Sequence, residues 1–198
     1  MTYNTMRLET ADGIATVTLD RPPMNAVNDQ LLDELVAVCG EIENDDNTNV
    51  MILTGAGKAF SAGRDLPGVL AGKETPGGPR YRALEELSKP VIAAVNGFCF
   101  TGSFELAMCA DIIIASDKAT FADTHAKFGI VPGGGQTQRL PRLIGVRKTK
   151  ELLFTCRRIS AEEAEAIGIV NKVVPHDDLM DEARAMAKQI LENIPAAI

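Results

Sequence analysis

The chain is poor in the residues that most often hold metals. Its 198 residues include two histidines, His125 and His176, and four cysteines, Cys39, Cys99, Cys109 and Cys156. No two cysteines stand in a C-x-x-C pair, so a zinc site has no ligand set to draw on and no metal is expected. Scattered cysteines inside apolar runs read as small buried hydrophobes of a reducing compartment. There is no run of Lys and Arg, and the net charge is −7, which argues against nucleic acid as a main partner. No apolar run approaches the roughly 20 residues of a membrane span. The polar first twelve residues carry no apolar signal core, so the cytoplasm is the expected location. A serine hydrolase is excluded by the lack of G-x-S-x-G and of an evident base for Ser103. The bend Pro132-Gly133-Gly134-Gly135 lacks the G-K-[ST] ending of a phosphate-cradling loop.

What remains is the composition of a soluble globular protein, 45% hydrophobic and 24% charged. The length suits one domain, 1–198, with an ample core. No internal repeat or dividing linker stands out. Residues 6–10 and 14–19 are β-prone around an Asp12-Gly13 turn. Leu31, Leu35, Val38 and Ile42 recur at helical spacing and predict a helix over 29–43 with Asn28 as N-cap. Residues 50–54 and 91–95 are continuous apolar runs, the pattern of strands buried on both faces. The Gly- and Pro-rich stretch 67–79 reads as a mobile surface loop, followed by a short helix over 80–87. Further helices are expected at 102–110, 136–140, 146–154, 160–167 and 177–192, with strands at 111–115, 119–122 and 170–174. Ser160 and Glu163 fit a capping box. The sum is an α/β fold with a layered sheet.

Three segments carry candidate chemistry. They are Lys58-Ala59-Phe60-Ser61-Ala62-Gly63-Arg64-Asp65-Leu66, the run from Lys89 through Asn96-Gly97 to Thr101-Gly102-Ser103-Phe104-Glu105, and Phe121-Ala122-Asp123-Thr124-His125 with Gly129 to Gly135 behind it. A strand-to-helix turn opening at Gly102 presents backbone N–H groups at the positive end of a helix dipole. Glycine there permits close approach of a ligand. A second amide from Gly63-Arg64 would complete an oxyanion hole. Glu105, one turn inside the helix, reaches the same place. Each feature alone has a plain structural reading. The glycine can be a turn, Glu105 a solvated residue complementing the dipole, and His125 a packed loop histidine.

Together these segments resemble the enoyl-CoA hydratase/isomerase family, the crotonase superfamily, from about Arg7 to Ile194. The resemblance is carried above all by residues 59–66, 89–111 and 129–140. It implies a spiral of ββα units and a homotrimer or dimer of trimers. It also implies an acyl-CoA substrate, with no cofactor beyond the coenzyme A of that substrate. Matched residue by residue, the amides of Arg64 and Gly102 form the oxyanion hole, Ala62, Arg64, Asp65 and Leu66 line the CoA path, and Met24 lies near the adenosine end. Only the Arg64 backbone is carried over; its side chain can approach a CoA phosphate or a substrate carboxylate or reach solvent, and solvent is the expectation. Family hydratases set two glutamates around one water. The first matches Glu105, the second falls at His125, and Gly133 matches the position whose N–H holds the water. Histidine titrates near neutrality and can serve as acid or base. Asp123 is a second acidic candidate, read as a turn or surface residue. Hydration of a 2-enoyl-CoA is the implied reaction. Isomerisation, C–C hydrolysis or decarboxylation through the same enolate are alternatives, and so is a non-catalytic CoA-binding relative. Relatives run on into further helices, so the C-terminal helical part is expected to be incomplete, ending in the apolar residues 195–198.

Overall fold

The computed structural model describes residues 3–73, 75 and 77–194; the apolar end at 195–198 lies outside them. Strands β1 (Met6–Ala11) and β2 (Ile14–Leu19) form the expected hairpin. Asp12 and Gly13 between them both have positive φ, 54° and 80°, as a two-residue hairpin turn demands. Helix α1 (Asp29–Glu43) starts where Asn28 Oδ1 accepts from the Leu31 amide at 2.9 Å, and it buries Leu31, Leu35, Val38 and Ile42.

The remaining chain winds through successive turns, each giving one strand to each of two sheets. Strands β3 (Val50–Gly55), β5 (Val91–Val95) and β7 (Ile112–Ser116) enter the larger sheet. Their successors β4 (Ala59–Ser61), β6 (Phe98–Phe100) and β8 (Thr120–Ala122) enter the smaller one. With β9 (Ile159–Ser160) and β10 (Lys172–Val174), the sheet orders are β1-β2-β3-β5-β7-β10 and β4-β6-β8-β9. Pairing is parallel except for β1 with β2 and β8 with β9. Helices α2 (Leu66–Leu70), α3 (Gly78–Glu85) and α4 (Gly102–Ala107) connect the turns. This is the expected α/β spiral of ββα units.

The continuous apolar strands are buried on both faces, as read. Met51 and Leu53 belong to the main core with α1, whereas Val50 and Ile52 face the opposite side. There they meet Leu179, Ala183 and Ala187 of the last helix, α8 (Leu179–Leu191). Each fully buried Leu or Ile of this kind contributes about 1.5–3 kcal/mol. Helices α5 (Gln136–Ile144), α6 (Val146–Thr155) and α7 (Ala161–Ala166) complete the chain. All four cysteines are free and buried. Among the described residues, no helix is long and apolar enough to cross a membrane.

Two expectations about the fold need correction. The stretch 67–79, read as loop, contains α2 and the start of α3, with Glu74 and Pro76 outside the described residues. Pro67 and Pro79 sit in the first turn of these helices, where a missing N–H breaks no helical bond. The capping box forms by half. Ser160 Oγ accepts from the Glu163 amide at 3.2 Å, but the Glu163 carboxylate is engaged by Arg157 at 2.5 Å. Strands β4, β6 and β9 have three residues or fewer, too few for a period to show.

Candidate active site

The site is built where β6 hands over to α4. Thr101, between them, has φ 55° and ψ −114°, a strained conformation for a β-branched residue. Two contacts hold it there. Its amide donates to Ala122 O at 2.7 Å, and its hydroxyl meets Thr124 Oγ1 at 2.6 Å. Ser103 Oγ accepts from the Phe100 amide at 2.8 Å and lies 2.6 Å from Ser61 O. Ser103 is therefore a fully buried support for the bend.

The segment around Arg64 is pinned beside the chain at Val27. Gly63 O accepts from the Val27 amide and the Asp65 amide donates to Val27 O, both at 2.8 Å. In such a parallel bridge the central residue turns its own N–H to the other side. That side is Gly102's, since a Cβ built on Gly102 would stand 3.5 Å from Arg64 N and 3.0 Å from Arg64 Cγ. The two backbones thus face each other across a space that only glycine at 102 leaves open.

Glu105 belongs to α4, which opens at Gly102, and is 2% exposed. Its Oε1 accepts from the amides of Gly134 at 2.7 Å and Gln136 at 3.2 Å, where the glycine-rich bend leads into α5. Its Oε2 lies 3.6 Å from His125 Nε2. His125 is in turn fixed from behind, with Nδ1 3.1 Å from both carboxylate oxygens of Asp123. Burial raises the pKa of Glu105, an effect opposed by the facing His125 and by the two amides. Asp123, His125 and Glu105 form one buried chain of acid, imidazole and acid.

A cavity of about 300 Å³ opens in front of it, at the small end of the range for ligand sites. Glu105, His125, Thr101, Thr124, Tyr81 and the Gly133-Gly134 bend make its polar end. Leu66, Val69, Phe128, Ile130 and Val131 make it apolar elsewhere.

Residues 9–198 match the family model described as enoyl-CoA hydratase/isomerase. The chain belongs to that family. It is 45% identical to a short-chain-enoyl-CoA hydratase of Clostridium acetobutylicum, with all of this chain and 79% of the relative aligned. It is also 45% identical to the carnitinyl-CoA dehydratase of Escherichia coli K12, over 93% of this chain and 74% of that one. An enoyl-CoA hydratase structure from Bacillus anthracis superimposes with a TM-score of 0.91 at 39% identity, over 97% of this chain and 78% of that one.

Of the residues that the family resemblance singles out, Ala62, Arg64, Leu66, Glu105, His125 and Gly133 line the cavity. Gly102 adjoins it through Tyr81 and Arg64. Two stand back from it. Met24 O accepts from the Ala62 amide at 2.9 Å, and Asp65 pairs with Arg21 at 2.7 Å. The Arg64 side chain does not reach out to solvent. Its Nη2 meets Asp29 Oδ1 at 3.1 Å and Thr75 O at 2.9 Å, drawn back by an acid in the first turn of α1. Asp123 is not a surface residue but 2% exposed. Its Oδ1 accepts from the His125 amide at 2.9 Å, an Asx-type turn that swings the carboxylate under the imidazole. Tyr81 and the amides of Gly134 and Gln136 escaped the sequence reading. Their distance in sequence from Glu105 left no pattern to find.

Proposed function

We propose that this member of the enoyl-CoA hydratase/isomerase family adds water to a 2-enoyl thioester of coenzyme A, through an enolate held by the Arg64 and Gly102 amides. The observation that carries the reading is the buried Glu105–His125 pair, 3.6 Å apart at one end of an apolar cavity, beside two converging backbones. The names of the relatives support the substrate class.

The residues allow a balanced proton account. Asp123 on Nδ1 leaves Nε2 of an imidazolium as the free donor toward the cavity. Ionised Glu105 takes a proton from water as its oxygen bonds to C3. The electron pair of the double bond moves onto the thioester oxygen, where backbone donors stabilise the charge. His125 then delivers its Nε2 proton to C2. Glu105 has gained one proton and His125 has lost one. Transfer from Oε2 to Nε2 across the cavity wall restores both. The raised pKa of Glu105 makes the carboxylate a better base than an exposed one. No cofactor beyond the CoA of the substrate enters this scheme. Assembly as a homotrimer or dimer of trimers is part of the same proposal, with Phe154, 76% exposed and outside the cavity, as an apolar residue available for a subunit contact.

The test is loss of the enoyl absorbance of crotonyl-CoA, measured beside Glu105→Gln and His125→Ala. Each is expected to lower kcat by about 10²–10⁴-fold, the usual contribution of a positioned acid or base. Wild-type turnover in Glu105→Gln overturns the reading.

A further inference from the structure

Tyr81 is the largest fully buried side chain described, at 1% exposure. Its hydroxyl has no hydrogen-bond partner among the described residues. Buried hydroxyls ordinarily find a partner, because an unmade bond is costly in a dry interior. The orphan is not the by-product of a crowded core, since three glycines clear a seat for this one ring. A Cβ on Gly77 would come within 3.3 Å of Tyr81 Cζ, and one on Gly134 within 2.4 Å of Cε2. One on Gly102 would come within 2.9 Å of the hydroxyl oxygen itself. That same point lies 3.5 Å from the Arg64 amide nitrogen. Gly102 therefore brings its backbone close to the phenol oxygen on one side and to the Arg64 amide nitrogen on the other. Tyr81 also lines the cavity that holds Glu105 and His125.

We propose that the Tyr81 hydroxyl is a catalytic residue, a third donor to the thioester oxygen of the bound substrate beside the amides of Arg64 and Gly102. The inference rests on the enolate reading above. A donor with no partner among the described residues that is engaged as charge gathers on oxygen stabilises the transition state more than the free enzyme. Burial, and next the nearby Glu105, push the phenol pKa up, so the group keeps its proton and serves as a donor only.

Tyr81→Phe removes the oxygen and keeps the ring in its seat. For the full chain with crotonyl-CoA, kcat is expected to fall about 10- to 100-fold with little change in KM, somewhat less than the loss of a main oxyanion donor. The melting temperature is expected to hold or rise, since the deleted atom has no partner among the described residues. A purely structural hydroxyl would not affect carbonyl polarisation. A cinnamoyl-CoA carrying an electron-donating ring substituent should therefore absorb at longer wavelength when bound, and Tyr81→Phe should shrink that shift. Wild-type turnover, an unchanged shift, or a melting temperature clearly below wild type each overturns the assignment. If the wild type neither hydrates crotonyl-CoA nor shifts the chromophore, the enolate reading falls and takes this one with it. If the wild type does both and Tyr81→Phe matches it, only the role of Tyr81 falls.

Discussion

Of two adjacent glycines in the bend at 133–135, only one should lose stability on substitution by alanine. An alanine at 134 would set its Cβ 2.4 Å from Tyr81 Cε2, 2.5 Å from Tyr81 Cδ2 and 2.7 Å from Glu105 Oε2. Carbon atoms settle about 3.5–4.0 Å apart, so the ring or the bend must retreat by about an ångström. Overpacking of that size costs about 1–3 kcal/mol. The same displacement stretches the 2.7 Å bond from the Gly134 amide to Glu105 Oε1, and a bond to a charged acceptor contributes about 1.5–3 kcal/mol. Because one movement causes both losses they overlap, giving a total of about 2–4 kcal/mol. At about 2–4 °C per kcal/mol for a chain of this length, the melting temperature should drop by about 5–15 °C. Displacing Glu105 by an ångström should also slow turnover by about 100-fold. At position 133 a Cβ meets nothing within 4 Å, and neither glycine sits in the left-handed region. Gly133→Ala should therefore melt within about 2 °C of wild type, as surface changes usually do. Calorimetry on the three proteins, with initial rates on crotonyl-CoA for wild type and Gly134→Ala, decides the matter. A Gly134→Ala protein as stable as wild type, or a Gly133→Ala protein that falls as far, would refute the packing of this bend against Tyr81 and Glu105.

Glu105→Gln should stabilise the fold near neutrality while it abolishes turnover. The folded pKa of Glu105 is raised from 4.5 by burial, so its favourable contribution is complete below that pH and is lost as pH rises through the folded value. The melting-temperature gain of Glu105→Gln over wild type should thus widen on going from about pH 4 to pH 7; a gain that is constant or reversed contradicts the burial of an ionised carboxylate. Asp123→Asn should lower kcat by about 10- to 100-fold through loss of imidazole alignment, with KM unchanged. Nitrogen NMR of His125 should show the Nδ1 resonance displaced by loss of the carboxylate partner, and an unaltered spectrum with wild-type kcat would leave Asp123 without a positioning role.

Much of the scaffold was legible because it repeats. The leucine spacing of α1 and the unbroken apolar runs of β3 and β5 each state their burial in a few consecutive residues. Glu105 and the Gly102 turn were legible as a local pattern. The rest of the site was not, because it is assembled across the spiral. Residue 81 comes from one turn, 105 from the next, 123–125 from the strand after it, and 134–136 from the bend that closes over them. The inward turn of Asp123 depends on a single side-chain-to-backbone bond, and a sequence gives an Asx turn no sign of direction. The idle hydroxyl of Tyr81 is visible only once its three glycine neighbours are placed.

The short helix α2 has no buried side chain, yet its flank supplies Leu66 and Val69 to the cavity. The chain on both sides of it is tethered from outside, where Asp29 holds Arg64 before it and Thr75 and Arg80 after it. This part of the cavity wall therefore lies outside the buried core. If the proposed function holds, substitutions at 66 and 69 should change the preference for longer, bulkier or more polar acyl chains while the two sheets go untouched. A library confined to that one helix is a natural starting point for retuning the enzyme.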